Sequence, residues 1–254
     1  MMLTKGPVIT SGNLRDGKPV TLSAGQALTI VTDQAMEGDD MQLATTYKAL
    51  PDAVSIGSMI LIDDGRVACE VTEVLENSVK TQVKNDAVIG ERKPMHLPGS
   101  IIDLPTIMEQ DETDISAFVK KGIDMIAVSF VRKADDIEQV KGMVTAANGH
   151  SKVYARIENH EGLNNFEEIL HEADGIIIAR GPLSMELSAE KVFIAQNWMI
   201  EKANQVAKPC IIQSHILDSM CRMPKPARGE ASDVCQAVIN GVDAVMLYNE
   251  TAEG

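Results

Sequence analysis

The chain has 254 residues, 44% of them hydrophobic and 24% charged, enough for a substantial core in one or two domains of a soluble globular protein. A formal net charge of −14 and an aromatic content of 3% argue against a nucleic-acid or anionic-membrane partner, which would need a basic footprint or stacking aromatics. No apolar run approaches the ~18 residues of a membrane helix, and the first residues carry neither a long apolar core nor an Arg-rich amphipathic stretch, so a cytoplasmic protein is expected.

Residues 1–98 read as β-rich. Short strands are predicted at 20–22 and 27–32, set off by Gly17, Gly25 and Asp33. Asp63-Asp64-Gly65 between apolar runs at 59–62 and 67–74 is a hairpin signal, and 78–83 continues the pattern. Closely spaced strands with Gly/Asp turns predict a small antiparallel barrel. The segment 90–99, rich in Pro and Gly, reads as a return and a domain boundary.

From residue 100 the rhythm changes. Apolar strands are predicted at 125–130, 153–157, 176–179, 210–213 and 244–248. Helical patterns fall between them, at about 111–121, 133–147, 164–172, 188–207 and 228–240, with Asp111 and Ser188 as cap or first-turn residues. Alternating strands and helices imply an α/β fold with a parallel sheet, either doubly wound or part of a (β/α)8 barrel. In both, chemistry sits where strands end and helices begin. Arg156 and Glu158 end one strand; Arg180, Gly181 and Pro182 end the next. Cys69, Cys210, Cys221 and Cys235 lack CxxC spacing and read as reduced thiols.

Several motifs are longer than chance allows. RIENHEG at 156–162 is followed by DGIIIARGPLSMELSAEKVFIAQ at 174–196, with SFVRK at 129–133, LDSM at 217–220 and a final ETAEG. Together they resemble the pyruvate kinase family, whose usual wording is KIENHEG and ARGDLGMEIPAEKVFLAQ. The resemblance implies a partial (β/α)8 TIM-type barrel with an inserted small β-barrel domain. Residues 1–9 would be the end of barrel strand 3, 10–97 the insert and 98–254 the second half of the barrel. The family's first barrel strands and its C-terminal regulatory domain have no counterpart here, so a truncated product or a purposeful short form is expected, with a homo- or hetero-oligomer completing the barrel.

The resemblance also implies a function: phosphoryl transfer from phosphoenolpyruvate to ADP, giving pyruvate and ATP in glycolysis, with Mg²⁺ and K⁺ as cofactors. It places Arg156 where the family has a catalytic Lys, and Glu158 at a metal-ligand position. Gly181 and Pro182 stand at the helix start that receives the substrate, Pro182 replacing a metal-binding Asp. Ser214 replaces a substrate-binding Thr and His215 a Gln. Thr4 occupies a potassium-ligand position, Lys93 a position that reaches nucleotide phosphates, and Thr10 the place of an Arg. Asp63 and Asp64 read as turn formers. Two readings follow: an active phosphotransferase, or an inactive relative kept as a binding or subunit-association module. The joint departures at 156, 182 and 10 favour the second. Proline removes both a carboxylate and a backbone donor, and Lys-to-Arg is not conservative in a tight site.

Overall fold

A two-residue strand, β1 (Met2–Leu3), opens the chain, which then builds two units. The computed structural model describes residues 1–252, apart from the side chains of Ala189 and Asn249. The end of the ETAEG motif and of the predicted 98–254 segment therefore lies outside the described residues. One unit is Val8–Leu104; the other joins Met1–Pro7 to the chain from Pro105 onward.

The Val8–Leu104 unit follows two-residue alternation. Its strands are β2 (Val20–Leu22), β3 (Ala27–Val31), β4 (Gln42–Ala44), β5 (Met59–Ile62), β6 (Val67–Leu75), β7 (Ser78–Val83), β8 (Ala87–Ile89) and β9 (Met95–His96). A short helix, α1 (Leu50–Ala53), lies between β4 and β5. In β7, Val79, Thr81 and Val83 are buried while Lys80 and Gln82 are exposed, as a sheet with one covered face requires. Six strands pair in the order β4-β3-β7-β6-β5-β9, and β2 pairs with β8. The pairing is antiparallel except for β3 with β4, which run parallel. The β5–β6 turn puts Asp63, Asp64 and Gly65 at φ 55°, 54° and 81°. Aspartate and glycine tolerate this left-handed region; β-branched residues do not.

The other unit is a curled parallel sheet of β1, β10 (Met125–Val128), β11 (Lys152–Ile157), β12 (Gly175–Ala179), β13 (Cys210–Gln213) and β14 (Ala244–Met246), in that order. Its helices are α2 (Glu109–Lys120), α3 (Ala134–Ala146), α4 (His160–Asn164), α5 (Phe166–Glu172), α6 (Arg180–Glu186), α7 (Ala189–Gln205), α8 (Arg228–Ile239) and α9 (Asn249–Ala252). The architecture is a partial (β/α)8 barrel. One sheet face supplies Ile126, Val128, Val153, Ala155, Ile157, Ile176, Ile178 and Ile212 to a core shared with the helices. Phe166 and Trp198 meet there with ring centroids 5.0 Å apart. Each fully buried large apolar side chain stabilises by roughly 1.5–3 kcal/mol. The opposite face carries a smaller cluster of Ala127, Tyr154, Ile177 and Ile211.

Boundaries differ from the pattern where backbone geometry intervenes. The predicted strand 125–130 stops at Val128, because Phe130 has φ 59° and cannot remain extended. The predicted helix 164–172 is α5, and a further short helix, α4, precedes it. Asn159 caps α4, its Oδ1 accepting the Gly162 N–H at 2.7 Å. The predicted helix at 111 starts at Glu109, since the Asp111 carboxylate accepts the Met108 N–H at 3.1 Å.

Candidate active site

Strand alternation aims the polar groups of the site. Arg156 follows Tyr154 by two residues and Gln213 follows Ile211 by two, so both share the smaller, helix-free face. The strand between them, β12, offers Ile177 in register with Arg156 and Ala179 in register with Gln213. Arg156 reaches across it: its Nε donates to Gln213 Oε1 at 2.9 Å. Its Nη1 donates to Glu158 Oε2. The other Glu158 oxygen accepts the Phe130 N–H. The side chains of Arg156 and Glu158 are 13% and 7% exposed, so this ion pair is almost dry. Burial pushes the Glu158 carboxyl above the usual carboxylate range, against the pull of the Arg156 guanidinium and the Phe130 amide.

A second arginine organises the neighbouring strand ends. Arg180 is buried, and its guanidinium donates to Ser214 O at 3.0 Å, His215 O at 2.6 Å, Asp233 Oδ2 at 2.5 Å and Gln196 Oε1 at 3.3 Å. It thereby holds two consecutive left-handed residues, Ser214 at φ 70° and His215 at φ 54°. Gly181 comes against that turn: a Cβ there would stand 3.3 Å from Ser214 Cβ. Gly181, Pro182 and Ser214 thus belong to one corner. Pro182 is the third residue of α6, in the first turn, where the N–H it lacks is one that the helix would leave unpaired.

Thr4 ends β1 and exchanges two hydrogen bonds with Ser129 at the end of β10. Thr4 Oγ1 accepts the Ser129 N–H at 2.8 Å, and Ser129 Oγ donates to Thr4 O at 2.6 Å. The next amides, Lys5 and Gly6, donate to the buried Asp111 carboxylate at 2.8 and 3.2 Å. Lys93 and Thr10 stand in the other unit. There Lys93 Nζ lies 3.1 Å from Asp63 Oδ1, and the Thr10 N–H donates to Thr46 Oγ1 at 2.9 Å.

The donor set does not fit Mg²⁺. That ion demands octahedral oxygen ligands at about 2.0–2.1 Å, commonly one or two carboxylates plus substrate oxygens. Here Glu158 is the one carboxylate of its corner and is already neutralised by Arg156 in an almost dry pair, Pro182 has no carboxylate, and Asp233 is paired with Arg180. Among the described residues no three His, Cys, Asp or Glu side chains gather as a metal site. Thr4 likewise turns both its hydroxyl and carbonyl oxygens to Ser129. Reading along the sequence had not singled out Gln213 or the hub role of Arg180. The one signal for Arg180 is a charged residue following directly on a wholly buried strand.

The pyruvate kinase barrel domain family model matches residues 1–254. The chain is similar to a pyruvate kinase of Eimeria tenella, 48% identical over 252 residues, covering 99% of this chain and 48% of that one. It is 43% identical over 257 residues to a cytosolic isozyme of pyruvate kinase from Glycine max, covering all of this chain and 50% of that one. A crystal structure of a pyruvate kinase from Cryptosporidium parvum superposes with a TM-score of 0.95 at 42% identity, covering 99% of this chain and 52% of that one. The chain spans about half the length of the curated relatives it matches. With the parallel sheet, the RIENHEG strand end and the ARG helix start all in place, this chain belongs to the pyruvate kinase family.

Proposed function

We propose that the chain descends from a phosphotransferase acting on phosphoenolpyruvate and ADP, and that its strand-end corner does not support metal-dependent transfer. The observation that carries this reading is the almost dry Arg156–Glu158 pair, with Pro182, at the end of the next strand, standing where the resemblance expects a second carboxylate. Phosphoryl transfer relies on positioning and on cations that neutralise the moving group. Arg156 is the cation of this corner. Gly181, Pro182 and Ser214 form the substrate side, and Lys93 in the Val8–Leu104 unit is the nucleotide contact. The domain reading stays 1–9, 10–97 and 98–254. Relatives named as cytosolic isozymes support a cytosolic location.

A coupled pyruvate assay tests the reading. No ATP formation above background is expected at high Mg²⁺. Mg²⁺-dependent turnover that disappears in Glu158→Ala would overturn it.

A second reading, a subunit-association module, is favoured by the β14 edge. Val245, Leu247 and Tyr248 are exposed there, 38%, 39% and 57%. An open strand edge with apolar neighbours fits pairing with further barrel strands.

A further inference from the structure

We propose that a cavity walled by α6, α7 and α8 binds a small neutral molecule, a carboxamide on an apolar body, whose amide is recognised by Gln196 and Asp233. The cavity has a volume of about 240 Å³, and its walls include Arg180, Val192, Phe193, Gln196 and Asp233. Gly181, Pro182 and Ser214 are not among its walls, so it is a second site beside the strand-end corner.

The group that asks for a ligand is the Gln196 amide. The residue is 1% exposed, and its Nε2 has no hydrogen-bond partner among the described residues. A buried donor without an acceptor is costly and rare. The orientation of this amide is set by Arg180: Gln196 Oε1 accepts from Arg180 Nη1 at 3.3 Å, and turning the amide over would set donor against donor. The same Nη1 donates to Asp233 Oδ2 at 2.5 Å, so the ends of Gln196 and Asp233 converge on one nitrogen. What each retains is complementary: N–H donors on Gln196 Nε2, and an acceptor oxygen, Oδ1, on Asp233. A donor and an acceptor anchored side by side match the C=O and N–H of one carboxamide. Nε2 is itself covered, so the ligand oxygen reaches it as the Gln196 side chain leans into the cavity that it lines.

Charge selects a neutral ligand. Arg180 and Asp233 already neutralise each other. An anion entering the cavity meets the Asp233 carboxylate, and a cation meets the Arg180 guanidinium, so neither sign gains. Val192 and the Phe193 ring supply an apolar wall. Phe193 is 48% exposed, so a ligand lying on its ring removes apolar surface from water. The volume suits a single ring bearing an amide rather than a drug-sized molecule.

The test titrates benzamide into the full chain and follows the Gln196 Nε2–H resonances by NMR, assigned by their loss in Gln196→Glu. A saturable shift with a Kd of about 1 mM is expected, in keeping with so small a ligand. Gln196→Glu retains an oxygen for Arg180 and removes the donor. It should weaken benzamide binding about tenfold, measured by saturation transfer to the ligand, as one lost hydrogen bond in a dry site does. Benzoate and benzylamine carry the same ring with a negative and a positive group, and neither should give a saturable shift at the same concentrations. Phe193→Ala, at an exposed position, serves if Gln196→Glu fails to fold; it should weaken binding about threefold or more. Benzamide shifts that stay linear to its solubility limit overturn the proposal and leave water as the partner of Gln196. So does benzoate or benzylamine binding as tightly as benzamide, or a folded variant at either position that binds benzamide as tightly as the parent.

Discussion

The ring of Tyr154 covers Gly175, its register partner on the adjacent strand: a Cβ at Gly175 would lie 2.3 Å from Tyr154 Cε1. Tyr154 is 5% exposed, so the ring has little room to retreat. Gly175→Ala should therefore destabilise the unit by about 1–3 kcal/mol through overpacking. Urea unfolding measures it, and Tyr154→Leu in the same chain should recover part of the loss.

Arg180 should be costly to remove. Arg180→Met leaves the Ser214 and His215 carbonyls and Asp233 without their donor. Breaking a buried ion pair from one side costs about 3–5 kcal/mol. Asp233 is 28% exposed and water replaces part of its pairing, so Asp233→Asn should cost distinctly less. Denaturant midpoints of the two variants check the order.

Acid should loosen the start of α8. Glu230 accepts the Ser219 and Ala227 N–H groups, each at 2.8 Å, and the Ser219 hydroxyl. The hydroxyl and the Ser219 amide hold its carboxyl below the usual range. A depressed acid pKa contributes stability above the ordinary glutamate pKa, and that stability is lost as pH falls through the folded value. Hydrogen exchange at the Ser219 and Ala227 amides should accelerate on acidification, and Glu230→Gln should abolish that pH dependence.

Thiol reactivity should separate by burial. Burial pushes the Cys69 thiol up to about 11 and the Cys210 thiol up to about 12, while Cys235 is exposed. The thiolate is the reactive form. At mildly alkaline pH a disulfide reagent should label Cys235 rapidly and leave Cys69 and Cys210 unlabelled until denaturant is added. Rapid native labelling of Cys69 would show that its strand opens readily.

Much of the fold is legible in the sequence because alternation and helical spacing are local signals. Strands 20–22, 59–62, 78–83 and 210–213 coincide with the predicted runs. The overrun at 129–130 has a physical cause: a phenylalanine at positive φ is imposed by contacts with residues far along the chain, not by its own preference. The site was legible as a set of positions, through motifs that place Arg156, Glu158, Gly181, Pro182 and Ser214. Its wiring was not. Arg156 meets Gln213 57 residues later, across an intervening strand. Only the register of three strands creates that contact.

The strand ends are joined in series: Thr4 to Ser129, Phe130 to Glu158, Arg156 to Gln213, and Arg180 to Ser214. Mechanically this is an open chain of links along the strand ends rather than a set of independent latches. A load on one loop is passed to its neighbours through side chains whose far ends are already fixed. Releasing the Arg156–Glu158 link would leave charge behind in a dry place. Exchange at this rim should then proceed in rare, whole openings, and its rate should be set by the weakest link rather than by the group that enters.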